Sequence, residues 1–297
     1  CRRDRSPIGA TTVNKHYAMG RVALELAYVM PDNKTVYMSD DGTNVGFFMF
    51  VADTEGDLTS GTLYAAKWHQ TGRLNGGSAD LEWISLGHAD QATIKAAIDS
   101  EPVFSDLFDA ADPAADGVCP AGFTSINTEV GQECLTVKAD MDIIASRLET
   151  RRYAAINGAT TEFRKEEGIT FDSVNGKLYV AMSEVGRGME DNMKNGSAND
   201  TYDIGGPNDV QLPYNTCGCV YALDVGTDAA IGSDYVAMNM YGVVSGKMKS
   251  YPAGSLYENN TCDVNRIANP DNVTFITGKE TLIIGEDTGS GHQNDAI

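Results

Sequence analysis

The sequence contains no run of 18 or more apolar residues, so it offers no candidate membrane-spanning helix, and no signal peptide is visible. No CxxC pair occurs and the four histidines are scattered, which argues against a finger-type zinc site. Walker A, GxSxG, HExxH and Rossmann fingerprints are all missing. Positive charge is also scarce, with 22 Lys+Arg against 42 Asp+Glu and a net charge of −20. Phosphate-backbone binding needs a positive face, so nucleic acid is not expected as a partner. The acidic surplus fits a solvated secreted protein, a saline habitat or many divalent-cation sites, and charge alone does not choose among them.

What is present is apolar material for a large core: 42% of 297 residues. That suffices for one all-β domain or two smaller ones. Both ends read as cut, since no methionine precedes Cys1 and the chain stops at Gly-His-Gln-Asn-Asp-Ala-Ile. A processed or partial chain is expected, with room for site residues beyond it. Six cysteines are present. Cys119 and Cys134 bracket a loop rich in Gly, Pro, Thr and Asn and are expected to pair, and Cys217 or Cys219 is expected to pair with Cys262. Cys217 and Cys219 are not expected to bond each other, because neighbours two apart on a strand point to opposite faces. This usage points to an oxidising compartment, periplasm or cell exterior. Sequons at Asn33, Asn195, Asn199, Asn259 and Asn272 permit glycosylation in a cell that glycosylates.

Strand signals dominate. Short β-branched or aromatic segments bounded by Gly, Asp, Asn or Pro predict strands at Thr35–Ser39, Gly46–Ala52, Thr62–Trp68, Leu81–Leu86, Gly168–Phe171, Lys177–Met182, Cys219–Leu223, Val273–Ile276 and Thr281–Ile284. Helices are predicted over Asp90–Asp99 and, lying on the surface, over Asp140–Arg152. Residues 186–216 read as a long loop.

Three hairpins repeat a pattern: E-L-A-Y-V-M-P-D-N-K-T-V-Y-M-S-D-D from Glu25, E-G-I-T-F-D-S-V-N-G-K-L-Y-V-A-M-S-E from Glu167, and D-N-V-T-F-I-T-G-K-E-T-L-I-I-G-E-D from Asp271. Each has an acid, a short strand, a turn, and a second strand whose first apolar residue lies 11 positions after the acid. Each closes on acids: Asp40 and Asp41, Glu184, or Glu286 and Asp287. The starting acids lie 142 and 104 positions apart, roughly two or three propeller blades of about 40–50 residues, so further blades are expected between them. The economical reading is radial repetition, with the whole chain, 1–297, as a single β-propeller domain. Inner-strand ends would then bring Glu25, Glu167 and Asp271 to one axial place. Carboxylates aimed at one point repel unless a cation neutralises them, and Ca²⁺ takes six to eight oxygens; iron and manganese also accept carboxylates. Lys165, two before Glu167 on an extended strand, would share its face, and a cation there suits an anionic substrate such as phosphate. Arg21, four before Glu25, is an analogous candidate. Asp191-Asn192 and Asn199-Asp200 lie in the long loop without EF-hand spacing. His16, His69, His88 and His292 read as surface or loop residues, with His292 following the third hairpin's acids.

At these residues the chain resembles the PhoX-type alkaline phosphatase family, in a secreted bacterial branch. The resemblance is carried by M-G-R-V-A-L-E-L-A-Y-V-M-P-D, V-Y-M-S-D-D-G-T-N, G-T-L-Y-A-A-K-W, A-T-T-E-F-R-K-E-E-G-I, N-D-V-Q-L-P-Y-N-T-C-G-C-V-Y-A-L-D and I-A-N-P-D-N-V-T-F. It implies an all-β fold, a six-bladed β-propeller with helical and loop insertions. It also implies hydrolysis of a small phosphorylated substrate, a phosphate monoester, at a cluster of Ca²⁺ and Fe³⁺. Carried over by motif, the metal residues are Glu25, Glu167 and Asp271, with Lys165 as a catalytic cation; the hairpin repeat adds Asp41 and Asp287 to the metal residues, and the spacing to Glu25 adds Arg21 as a second catalytic cation. Leu24 stands where the family motif has histidine, Lys165 where it has arginine. The family's Asn-Cys-x-Gly-Gly segment, which carries an iron-binding cysteine, is not found. A non-catalytic, calcium-stabilised propeller for cell-surface adhesion or assembly is the rival reading, and a lactonase-like hydrolase with axial calcium is a third.

Overall fold

The computed structural model describes residues 13–296. Cys1 lies outside them. All nine predicted strands are present, several of them longer than their apolar cores, and the chain is mostly β, 44% strand and 12% helix. The hairpin-forming strands are β1 (Leu24–Val29), β2 (Thr35–Asp40), β3 (Phe48–Thr54), β4 (Asp57–Gly72) and β5 (Ser78–Asp90). After the helical insertion come β6 (Glu166–Asp172), β7 (Lys177–Met182), β8 (Cys219–Asp228), β9 (Asn239–Ser245), β10 (Pro270–Ile276) and β11 (Thr281–Glu286).

One ten-stranded antiparallel sheet runs β1-β2-β3-β4-β5-β9-β8-β7-β6, with Ser233–Ala237 paired to β8. It consists of two meanders joined where Met240 of β9 pairs with Ala79 of β5. The sheet nearly closes, because its end strands β1 and β6 lie side by side, and β6 in turn lies against β10 of the separate β10–β11 hairpin. The apolar run of β3 follows from burial on both faces: Met49 and Val51 enter the interior cluster with Tyr37, Trp68 and Phe163, while Phe48, Phe50 and Ala52 pack beneath the helical insertion. The fully buried Phe48, Met49 and Phe50 each contribute on the order of 1.5–3 kcal/mol relative to exposure.

The 142 positions between Glu25 and Glu167 hold β2, β3, the long β4–β5 hairpin, helices, and a three-stranded sheet of Phe108–Ala111, Thr124–Thr128 and Gly131–Val137. Those short, Thr- and Asp-bearing strands carry too little apolar alternation to read from sequence. The first predicted helix forms as α1 (Gln91–Asp99), and Asp90 caps it by accepting from the Thr93 amide at 2.9 Å. The second divides into α2 (Asp142–Leu148) and α3 (Thr150–Ile156), broken at Glu149 with φ −132° and ψ 53°. Nor is it a mere surface element: Arg147 is 1% exposed and donates to the carbonyls of Ala18, Leu86 and Gly87. The break turns α3 so that Arg151 reaches the end of β2. Cys119 is bonded to Cys134 and Cys217 to Cys262, leaving Cys219 buried and unbonded. Residues 186–216 are largely irregular as expected, apart from a 3₁₀ turn at Arg187–Met189 and a two-residue ladder.

Candidate metal centre

The three repeated hairpins carry the same irregularity at the same place. In β1 the register with β2 steps from Leu24–Asp40 to Ala27–Met38. In β6 it steps from Glu166–Met182 to Ile169–Val180, and in β10 from Pro270–Glu286 to Val273–Ile284. Each time the inner strand gains one residue on its partner, a β-bulge, and the first residue inside the bulge is the acid: Glu25, Glu167 or Asp271. A bulge turns a side chain out of the regular alternation. All three acids are turned to one place, with a carboxylate oxygen of each within 4.8 Å of the others.

Close approach of the inner strands makes this possible. Gly168 follows Glu167 in its bulge, and a Cβ there would lie 2.5 Å from the carbonyl oxygen of Asp271 and 2.7 Å from the amide of Val273. Only glycine lets the β10 backbone come this near. Buried hydroxyls tie the strands together: Ser39 donates to the Glu167 carbonyl at 2.7 Å and accepts from the Leu26 amide, and Thr170 accepts from the Phe275 amide at 3.0 Å.

Glu25 is exposed, Asp271 half-buried and Glu167 buried. The Lys165 ammonium stands 3.1 Å from both Glu167 and Asp41, and Ser183 donates to Glu167 at 3.1 Å. Lys165 arrives there by a route the sequence does not reveal. Its φ is +48°, and it lies between Phe163–Arg164 and β6 rather than within an extended strand. Burial raises the carboxyls of Glu167 and Asp271 above the usual carboxylate range. At Asp271 the charges of Asp287, Glu25 and Asp41 push further in the same direction, against Lys165. Burial alone would lower the Lys165 ammonium, but its bonds to Glu167 and Asp41 outweigh that and hold it above the ordinary lysine value. Glu25, Asp41, Glu167, Asp271 and Asp287 thus share one space with Lys165.

Arg21 is not brought there. It is 74% exposed, pairs with Glu149 at 3.6 Å and donates to the Leu148 carbonyl. A half-buried arginine stands next to it: Arg151 grips Asp40 with Nε at 2.6 Å and Nη2 at 2.5 Å and also pairs with Glu129. Asp40 is fully buried, and its backbone amide donates to Glu166 at 3.3 Å. Burial first, and the neighbouring Asp40 and Glu167 charges next, push Glu166 well above the carboxylate range. Sequence reading missed this Glu166–Asp40–Arg151 group, because Arg151 comes from a helix 111 positions away. Of the histidines, His69 and His88 are exposed and paired with Glu82 and Asp53, while His292 is largely buried against Glu286 at 2.9 Å.

An all-carboxylate donor set suits a hard cation such as Ca²⁺, and Fe³⁺ also accepts such oxygens. Among the described residues no thiolate joins it, since four cysteines are bonded and the Cys219 thiol faces the Asn75 carbonyl.

A family model described as alkaline phosphatase PhoX matches residues 5–296 of this chain. No curated protein matches it. Among solved structures it is similar to Pseudomonas fluorescens PhoX in complex with vanadate, a transition state analogue, at 21% sequence identity and a TM-score of 0.54. The match covers 93% of this chain and 42% of that one, so the chain spans less than half of that protein's length.

Proposed function

The chain belongs to the alkaline phosphatase PhoX family, and from that membership we propose that it is a metal-dependent phosphatase hydrolysing phosphate monoesters at the carboxylate centre. The observation that carries this reading is the convergence of Glu25, Glu167 and Asp271, each from an equivalent bulge, to within 4.8 Å. The vanadate bound by the Pseudomonas protein supports a phosphorylated substrate. The three hairpins are read as blades of a six-bladed propeller with the centre on its axis.

In this reading Glu25, Glu167 and Asp271 hold the cations, Ca²⁺ and Fe³⁺, with Asp41 and Asp287 beside them. Bound metal supplies charge compensation and Lewis-acid stabilisation of the phosphoryl oxygens. Lys165 supplies a fixed positive charge for the same oxygens; its raised ammonium stays protonated at alkaline pH. Ser183 holds the Glu167 carboxylate in place, and the exposed side of Glu25 leaves the centre open to an incoming ester. Lysine presents a point charge where arginine would offer a fork, so Lys165 attracts the phosphate without fixing its orientation by a bidentate bond. The two disulfides support export to the periplasm or cell surface.

The test is turnover of a chromogenic phosphomonoester by the metal-replete protein. EDTA abolishes it and Ca²⁺ restores it; a metal-replete preparation without turnover overturns the proposal. Adhesive or assembly use of a calcium-stabilised propeller predicts instead that Glu167→Gln costs metal and thermal stability with no activity to lose.

A further inference from the structure

The three repeated hairpins match beyond their bulges. In each, the residue sixteen positions after the acid gives its backbone amide to the carbonyl of the residue two before it. The bonds run from Asp41 to Ala23 at 2.9 Å, from Ser183 to Lys165 at 3.1 Å and from Asp287 to Asn269 at 3.1 Å. Lys165 and Asn269 also share a left-handed backbone, at φ +48° and +47°. Side chains at these matched places can therefore be compared one for one.

The comparison isolates the middle hairpin. Asp41 and Asp287 are carboxylates where it has the hydroxyl of Ser183. Ala23 carries no polar side chain, and Asn269 spends its amide on the carbonyls of Ser183 and Thr216, at 2.9 Å each. Of the three, Lys165 alone directs a donor into the centre. Its ammonium has three hydrogens. Glu167 and Asp41 take two, each at 3.1 Å, and the third has no partner among the described residues. The lysine side chain is 38% exposed, so a ligand can reach it.

Ser183 Oγ donates to the same Glu167 oxygen, Oε1, that faces the ammonium. A carboxylate in place of this hydroxyl would crowd Glu167 with a like charge or claim the remaining hydrogen of Lys165. Each further negative charge within a few ångströms opposes an incoming anion. Resting on the phosphatase reading, we infer that Ser183 determines where the phosphoryl group binds. The Lys165–Ser183 corner receives the anion, and the closing acids of the other two hairpins face the cations. Ser183 acts by the charge it lacks and, at 4% exposure, need not touch the substrate. The break in the repeat is what fits a cage of carboxylates to an anionic ligand.

Binding of inorganic phosphate to the metal-replete full chain, by equilibrium dialysis at alkaline pH, tests this without turnover. Ser183→Asp is compared with Ser183→Asn, which has the same shape without the charge. Phosphate is expected to bind roughly 100-fold more weakly to Ser183→Asp, the like-charge penalty, with no loss of Ca²⁺ per chain. Equal phosphate affinity in the two variants overturns the inference and leaves the phosphatase reading standing; a parent that binds no phosphate overturns both. Should Ser183→Asp fail to fold, Lys165→Asn decides, because Asn269 already holds the same left-handed backbone. That variant is expected to keep Ca²⁺ and to bind phosphate roughly tenfold more weakly or worse. Unchanged phosphate affinity there overturns the inference.

Discussion

The Lys165 ammonium lies 3.1 Å from Glu167 although the residue that carries it is in the left-handed region, at φ +48°. Such a conformation is uncommon for a side-chain-bearing residue and costs on the order of 1–3 kcal/mol unless its surroundings impose it. Here they do. The Lys165 amide donates to the Gly42 carbonyl and its own carbonyl accepts from the Ser183 amide, so neighbouring hairpins clamp it on both sides.

Lys165→Met removes the positive charge while leaving the carboxylates in place. Phosphomonoester turnover is expected to fall about 100- to 1,000-fold, the usual loss for one charge-stabilising group. Bound Ca²⁺ is expected to hold or rise, because the ammonium no longer competes for Glu167 and Asp41. Elemental analysis beside steady-state kinetics checks both halves.

Gly168→Ala places a Cβ 2.5 Å from the Asp271 carbonyl oxygen. Something must move, and the movable part is the β10–β11 hairpin, which shares no sheet with β6. The expected result is loss of bound metal and of turnover with the remaining core folded, read by metal content together with near-UV circular dichroism.

Arg151→Met leaves Asp40 fully buried without its bidentate partner. Removing one member of such a pair costs about 3–5 kcal/mol, which the denaturant midpoint will show. Arg21→Met, by contrast, breaks an exposed pair worth at most about 1 kcal/mol.

Glu162 is 4% exposed and accepts from the amides of Asp209 and Val210 at 3.0 and 2.7 Å, yet burial holds its carboxyl well above the ordinary range. A raised carboxyl favours the folded state in its protonated form. That contribution is present at pH below the unfolded value of about 4.3 and is lost as pH rises through the higher folded one. Glu162→Gln is therefore expected to flatten the fall in stability from acidic toward neutral pH, relative to the parent. Urea midpoints across that range measure the difference.

Much of this was legible in order along the chain. The strands announced themselves because burial of one or both faces writes a period into the sequence, as in β3, and the three acids did so because their hairpins share one spacing. The disulfide of Cys119 and Cys134 followed from the loop between them, whereas Cys262 left two candidates until packing put Cys219 in the core. The small sheet beside the helices lacks the apolar alternation that would reveal it, and Arg151, far from Glu25 along the chain, is not a candidate there, whereas Arg21 is one for its closeness to Glu25.

By itself the sequence determined the β class, the family and which acids repeat, since all three are properties of local pattern. Only the tertiary structure decided that the first two hairpins are direct neighbours, that a bulge in each turns its acid to the shared place, and that Lys165 is the cation beside these acids while Arg151 holds Asp40. Those outcomes depend on backbone surfaces more than a hundred positions apart meeting at Gly168 and Ser39. No periodicity records such a meeting, because its energy comes from contact between strands rather than from any one of them.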